Sequence, residues 1–373
     1  MREINVSTNE AGQRLDKLLR KYLKNANTSF IYKMLRKKNI VLNDKKAEGK
    51  EILNLGDSVK MYFSEETFAT MTGRMGQYAG SAEKNRETSA NATAQRTSTT
   101  SDQAASAGKI SAQIRRGASS GNASERGDQR AFDINEFRKH IVYEDENLLV
   151  LNKPSGWLSQ SDGSGLPSVN ELCLRYLMAT GTLTEAQLQT FKPGIANRLD
   201  RNTSGLILFG KTLPALQALA GLLRDRTMEK YYLAIVCGDI DHAQRIDGYL
   251  AKDERTNRVE IRPQPFPDAV EIHTAYEPLK RSADYTVLKV HLITGKTHQI
   301  RAHLRAIGHP IIGDPKYGRK DANAYYRTHG GVKSQLLHAW ELHFPETLDG
   351  PLRNLAGRTL TAEPPKEFHP FLK

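Results

Sequence analysis

The spacing of apolar residues changes several times along this chain, and each change marks an element. In RLDKLLRKYL, residues 14–23, Leu15, Leu18, Leu19 and Tyr22 recur at helical intervals with lysine and arginine opposite them, which predicts a short amphipathic helix. A second helix is predicted in SFIYKMLRKK, with Ser29 placed to cap it. Phe30, Ile31, Met34 and Leu35 form its apolar stripe, and Lys33, Arg36 and Lys37 lie on the other side. Asn39 suits a left-handed cap before the short strand IVLN. Further on, IVYEDENLLVLNKPSG reads as two β-like runs around an acidic turn, ended by Pro154 and Gly156. ALQALAGLLRD reads as a helix and KYYLAIVCG as a strand in which Tyr232, Ala234 and Val236 share one face. The segment YTVLKVHLITGKTHQIRAHLRAIGHPIIGDPKYG gives a strand, a turn and a helix from about Thr297 to Ile307. There Ile300, Leu304 and Ile307 point inward, His298, Arg301 and Arg305 share another face, and Gly308 and Pro310 stop the helix. Strands and helices without repeated βαβ units predict an α+β domain around a mixed sheet.

Composition divides the 373 residues into three stretches. Residues 1–63 carry 14 Lys/Arg against 7 Asp/Glu. Residues 64–131 are dominated by Ser, Thr, Ala, Gly, Asn and Gln, too poor in apolar side chains to offset the entropy of ordering them, and are expected to form a disordered linker. Residues 132–373 hold the large domain. The net charge of +12 lies mostly ahead of that domain and favours a polyanionic partner, nucleic acid before membrane, since no long apolar span is present. With no signal-peptide core at the N-terminus, a cytoplasmic protein is expected. Cys173 and Cys237 are isolated and read as core thiols.

The stretch NRLDRNTSGLILFGKT, residues 197–212, poses a choice. From Gly205 to Thr212 it fits the phosphate-loop pattern, but that loop needs free amides between its glycines. Leu206, Ile207, Leu208 and Phe209 fill the interval instead and read as a buried strand, so the match is accidental. What remains is a charged turn delivered onto a buried strand, a common place for reactive groups. Taken singly, Asp200 reads as a turn former, Tyr232 as core and Arg301 as a solvated helix residue. His298, His303 and His309 lack the i, i+4 spacing of a helical metal pair, so no metal is expected.

Together, and in order, RLDRNTSGLILFGKT, KYYLAIVCG, TGKTHQIRAHLRAIGHPIIGDPKYG and LLHAWELHFP resemble the RluA-type family of RNA pseudouridine synthases, and the resemblance spans nearly all of residues 139–373. Residues 14–63 are similar to the S4 RNA-binding domain, and SFIYKMLRKK resembles the C subtype that acts on large-subunit ribosomal RNA. The resemblance implies a mixed, largely antiparallel sheet with flanking helices, preceded by a small S4-like α/β module (residues 1–63). It implies isomerisation of uridine to pseudouridine without cofactor or metal, by a monomer acting on ribosomal RNA or a large-subunit precursor. Asp200 matches the catalytic aspartate, Tyr232 the tyrosine that stacks on the base, a contact worth roughly 1–3 kcal/mol, and Arg301 the cation that keeps the carboxylate charged. Arg198, Arg201, Lys230 and His298 are candidate RNA contacts around them, with Lys33, Arg36 and Lys37 in the N-terminal module. Thr203, Ser204 and Gly205 shape the loop carrying Asp200. The chain departs from the family at Asn197, where histidine is frequent, and in the length of its linker, which makes the N-terminal module a tethered anchor. Two rivals are a non-catalytic ribosome-assembly factor and a base-removing hydrolase, which would need a second carboxylate near Asp200.

Overall fold

The structure is a computed structural model that describes residues 1–72, 132–185, 187–253, 255 and 258–373. Apart from residues 64–72, the stretch expected to be a linker lies outside the described residues. The described chain forms two compact units, one of residues 1–4, 19–50, 58–72 and 132, the other of residues 5–18, 51–57 and 133–373.

The first unit contains a four-stranded sheet in the order β1-β4-β2-β3, from β1 (Arg2–Asn5), β2 (Ile40–Leu42), β3 (Lys45–Lys46) and β4 (Ser58–Met61). The first helix, α1 (Leu15–Tyr22), buries Leu15, Leu18 and Leu19 as its spacing implies. The second, α2 (Thr28–Arg36), starts before the expected position. Asn27 rather than Ser29 caps it, its side-chain oxygen accepting from the Phe30 amide at 2.8 Å. At its other end Lys38, not Asn39, takes the left-handed conformation (φ 59°), because the helix ends in a paired turn: the Lys38 amide donates to Leu35 and that of Asn39 to Met34. Lys33, Arg36 and Lys37 are exposed on α2 as expected. Order also runs past residue 63: α3 (Glu65–Thr72) buries Phe68.

The second unit is built on an eleven-stranded sheet, ordered β11-β10-β12-β13-β9-β14-β8-β6-β5 with β7 beside β8 and β15 beside β14. Its strands are β5 (Ile141–Glu144), β6 (Leu148–Lys153), β7 (Gly194–Ile195), β8 (Ser204–Gly210), β9 (Glu229–Cys237), β10 (Gln244–Asp253), β11 (Arg258–Arg262), β12 (Val270–Arg281), β13 (Tyr285–Leu292), β14 (Leu337–His343) and β15 (Thr359–Thr361). Every registered pairing is antiparallel except β8 with β14, the mixed, largely antiparallel sheet expected. The helices of this unit are α4 (Ile134–Arg138), α5 (Val169–Ala179), α6 (Leu213–Asp225), α7 (Gln299–Ala306), α8 (Lys320–Gly330) and α9 (His369–Leu372). Two apolar layers flank the sheet. One packs Leu148, Val150, Leu206 and Leu208 against Ala215 and Leu219 of α6. The other packs Leu233, Ile235 and Cys237 with Val287, Ile312 and Phe371, so alternation along β9 sends Tyr232 to the opposite face.

The phosphate-loop reading fails for the reason its sequence suggests. Residues 204–210 are a fully buried strand paired to β6 and β14. Lys211 is ion-paired to Glu144 at 3.0 Å, and Thr212 caps α6. Both cysteines are buried free thiols.

Candidate active site

The turn 199–203 is stitched to residues 153–159 by backbone and side-chain bonds. Ser159 Oγ accepts from the Leu199 amide (3.0 Å) and donates to its carbonyl (2.7 Å). The Gly156 amide reaches the Arg201 carbonyl at 2.9 Å, and Ser155 Oγ donates to Asn202. Beneath them Lys153, wholly buried, gives its three N–H groups to the carbonyls of Pro154, Trp157 and Arg201, each at 2.9 Å. Burial pulls its pKa down to about 7 while the charge of Asp200 pulls the other way. Asn197 explains its own presence: its side chain accepts from the Leu208 amide and donates to the Leu206 carbonyl, holding the entry to the turn against β8.

On this turn Asp200 is part-exposed, and its Oδ2 accepts from Arg301 Nη1 at 2.7 Å across 101 residues. The same guanidinium makes a two-bond fork with Asp314, Nε to Oδ2 at 2.7 Å and Nη2 to Oδ1 at 2.9 Å. The amides of Lys316 and Tyr317 donate to Asp314 as well. Arg301 is 5% exposed, so the solvated reading is wrong for it. Burial opposes its charge, but Asp314 and Asp200 outweigh that and raise its pKa above an already high value. Asp314 shows the mirror case, with burial opposed and overcome by Arg301, leaving its pKa lowered. Planar fork geometry of this kind fixes direction as well as charge.

The carrier of Arg301 is shorter than its sequence suggests. α7 spans Gln299–Ala306, and His298 precedes it as a left-handed N-cap (φ 54°); it cannot share a helical face, yet its Nε2 comes to 3.8 Å from Asp200 Oδ2 while Arg301 bonds that oxygen. Tyr232 is 7% exposed, and burial, then the charge of Asp200, raises its phenol pKa far above the ordinary value. Asp200, Tyr232, His298 and Arg301 all line one open pocket of about 1130 Å³. Arg198, Arg201 and Lys230 line it too, and Lys230 is nine-tenths buried with its pKa lowered by burial and by Arg226. Lys33, Arg36 and Lys37 belong to the first unit.

The RNA pseudouridylate synthase family model matches residues 147–306, the span from β6 to the end of α7. A ribosomal large subunit pseudouridine synthase C of Vibrio cholerae is 30% identical over 342 residues, covering 91% of this chain and 88% of that one. The synonymous protein of Salmonella typhimurium is 30% identical over 369 residues, covering 95% and 94%. This chain belongs to the RluA-type RNA pseudouridine synthases. It isomerises uridine in RNA. Among solved structures, human RNA pseudouridylate synthase domain containing 4 shares the fold, with a TM-score of 0.50 at 20% identity over 63% of this chain and 94% of that one.

Behind the lining of the synthase pocket, sequence reasoning missed Asp314, Lys153 and Tyr317. Asp314 stands in the quoted GDPKYG turn, and its signal was a carboxylate following a glycine near a helix already assigned a functional arginine. Lys153 was visible only as a lysine before the Pro-Ser-Gly turn, and no local pattern distinguishes it from a solvated one. Among the described residues no group of three or more metal-ligating side chains occurs, and no helix is long and apolar enough to cross a membrane.

Proposed function

We propose that this synthase acts on ribosomal RNA of the large subunit, in the cytoplasm, with Asp200 starting the rearrangement, Tyr232 holding the base and Arg301 keeping the carboxylate charged. The observation that carries this reading is the Asp200–Arg301–Asp314 bridge at the wall of a basic pocket. Asp314 neutralises the arginine from behind, and of the two carboxylates on Arg301 it is Asp200 that lines the cavity. A fixed cation beside a part-buried carboxylate favours its ionised form, which either route, attack on C1′ or removal of a sugar proton, requires. The relatives named for large-subunit synthase C support the substrate class, and the excess of basic side chains supports a polyanionic one. Reaching C1′ and C5 requires the uridine to leave its stack, which favours loops and junctions.

The hydrolase alternative needs a second carboxylate free to activate water. Asp314 shares Arg301 with Asp200, but its side chain is wholly buried and both oxygens are engaged by Arg301 and two backbone amides; Asp162, the other acid lining the pocket, accepts from the Ser164 amide within its own turn.

The test maps pseudouridines in ribosomal RNA from cells lacking the gene and from cells carrying Asp200→Asn. The same sites vanish in both strains, while purified Asp200→Asn still binds RNA. Retention of every site in the Asp200→Asn strain rejects the catalytic assignment, and unchanged ribosomal RNA in the deletion strain rejects the substrate.

A further inference from the structure

Among the described residues, no hydrogen-bond partner is within range of His298 Nε2, which lines the pocket beside Asp200. Its Nδ1 lies 3.0 Å from the Tyr317 hydroxyl, and that hydroxyl already accepts from the Val259 amide at 3.1 Å. The phenol has a proton of its own to place and Nδ1 is the acceptor beside it, so that proton goes to Nδ1 and the imidazole proton to Nε2. That nitrogen points toward Asp200 but stands 3.8 Å from Oδ2, beyond hydrogen-bond range, and the side chain is 8% exposed. That nitrogen lies on the wall of the open pocket, and the left-handed backbone of a non-glycine residue, which brings His298 to this place, is costly. Burial, helped by Arg301 and Lys316 and opposed by Asp200 and Asp314, lowers the imidazole pKa, so the ring is neutral and its donor is a fixed dipole.

We propose that His298 is a further catalytic residue, whose Nε2–H donates a hydrogen bond to the uracil O2 as the N1–C1′ bond breaks. This inference rests on the reading of Asp200 as the group that acts on the sugar. In that reading C1′ or its neighbour C2′ sits against Oδ2, and N1, C2 and O2 follow C1′ as bonded atoms, so O2 enters the space between Asp200 and His298. When the bond breaks, its electron pair remains on the uracil, shared between N1 and O2. His298 keeps its proton throughout and stabilises the oxygen where charge gathers, as donors aimed at a developing oxyanion do. Tyr317 is a positioning residue: it fixes the tautomer and never meets the base.

The experiment measures single-turnover cleavage of the N1–C1′ bond in a transcript that the wild-type protein converts, made with uridine or with 5-fluorouridine at the target. Fluorine withdraws electron density and makes the departing base less dependent on a donor. His298→Phe slows cleavage on uridine by roughly 100-fold and on 5-fluorouridine by a clearly smaller factor. His298→Gln, which retains an N–H, recovers most of the rate, and Tyr317→Phe falls between. RNA affinity, measured with each change added to Asp200→Asn, stays unchanged. Equal deficits on both substrates overturn the proposal, because His298 would then act through Asp200 or the fold. A loss confined to RNA affinity, or no loss at all, overturns it as well. Failure of the Asp200 reading is separately visible as an Asp200→Asn protein that still cleaves uridine.

Discussion

Single residues in this site are held by partners that serve more than one purpose. Arg301 binds Asp200 with one nitrogen and Asp314 with two others, so the group that holds Asp200 is itself oriented by a fully buried acid. The same economy governs His338 on β14. Its Nε2 donates to the Ala362 carbonyl at 3.0 Å, Ser204 Oγ reaches Nδ1 at 2.8 Å, and complete burial lowers its pKa to about 4. Since the unfolded chain takes up this proton near pH 6.5 and the native ring only near 4, stability is full above pH 6.5 and declines as pH falls toward 4. At about 1.4 kcal/mol per pH unit the loss is roughly 3 kcal/mol. Urea unfolding at pH 7 and pH 4 checks this: His338→Gln, which lacks the titration, loses about that much less stability than the parent over the interval. Of the residues in these contacts, Asp200 and Arg301 stood out in the chain, through the motifs that resemble the family's. The carboxylate behind Arg301 was not, because Asp314 reads locally as an ordinary turn residue.

Elements place these residues where backbone geometry permits. The β8–β14 pairing is the parallel one, and it brings the strand that follows the Asp200 turn against the strand carrying His338. Gly205 makes that approach possible. It has φ 110°, and a Cβ there would fall 2.2 Å from the Ala339 carbonyl oxygen. Backbone offers no flexible side-chain end to yield, so Gly205→Ala must part the strands and shift the turn. The expected cost is on the order of 3 kcal/mol, with turnover falling further than stability alone accounts for. Thermal unfolding and single-turnover rates on the same preparation check both. The helix start at residue 299 shows the limit of periodicity. Apolar spacing identified α7, yet it assigned His298 to a helical face, when the chain instead enters the helix through a left-handed residue. Spacing carries no information about that turn. Likewise the Asn27 cap and the Lys38 turn on α2 depend on which amides remain unpaired once the helix has formed.

At the scale of the molecule, charge and catalysis are separable. We expect the exposed Lys33, Arg36 and Lys37 of α2 to supply salt-sensitive affinity, and the basic wall of the pocket to supply turnover. Replacing all three by glutamine lowers the slope of log affinity against log salt by about 2 to 3 if each meets one phosphate, and leaves the rate at saturating RNA unchanged. Filter binding at several salt concentrations reads this, and an unchanged slope assigns these residues elsewhere. The sequence by itself determined β5, β6, β8, β9 and β13 of the large sheet, the accidental nature of the phosphate-loop match and the family, because apolar periodicity and ordered motifs are local properties of a chain. Tertiary structure alone decided that Asp200 and Arg301 meet, that Asp314 stands behind them, that Lys153 is wholly buried beneath the turn, and that His298 Nε2 stands 3.8 Å from Asp200 on the pocket wall. Burial and long-range contact arise only when distant segments fold into one place, and no local pattern encodes them.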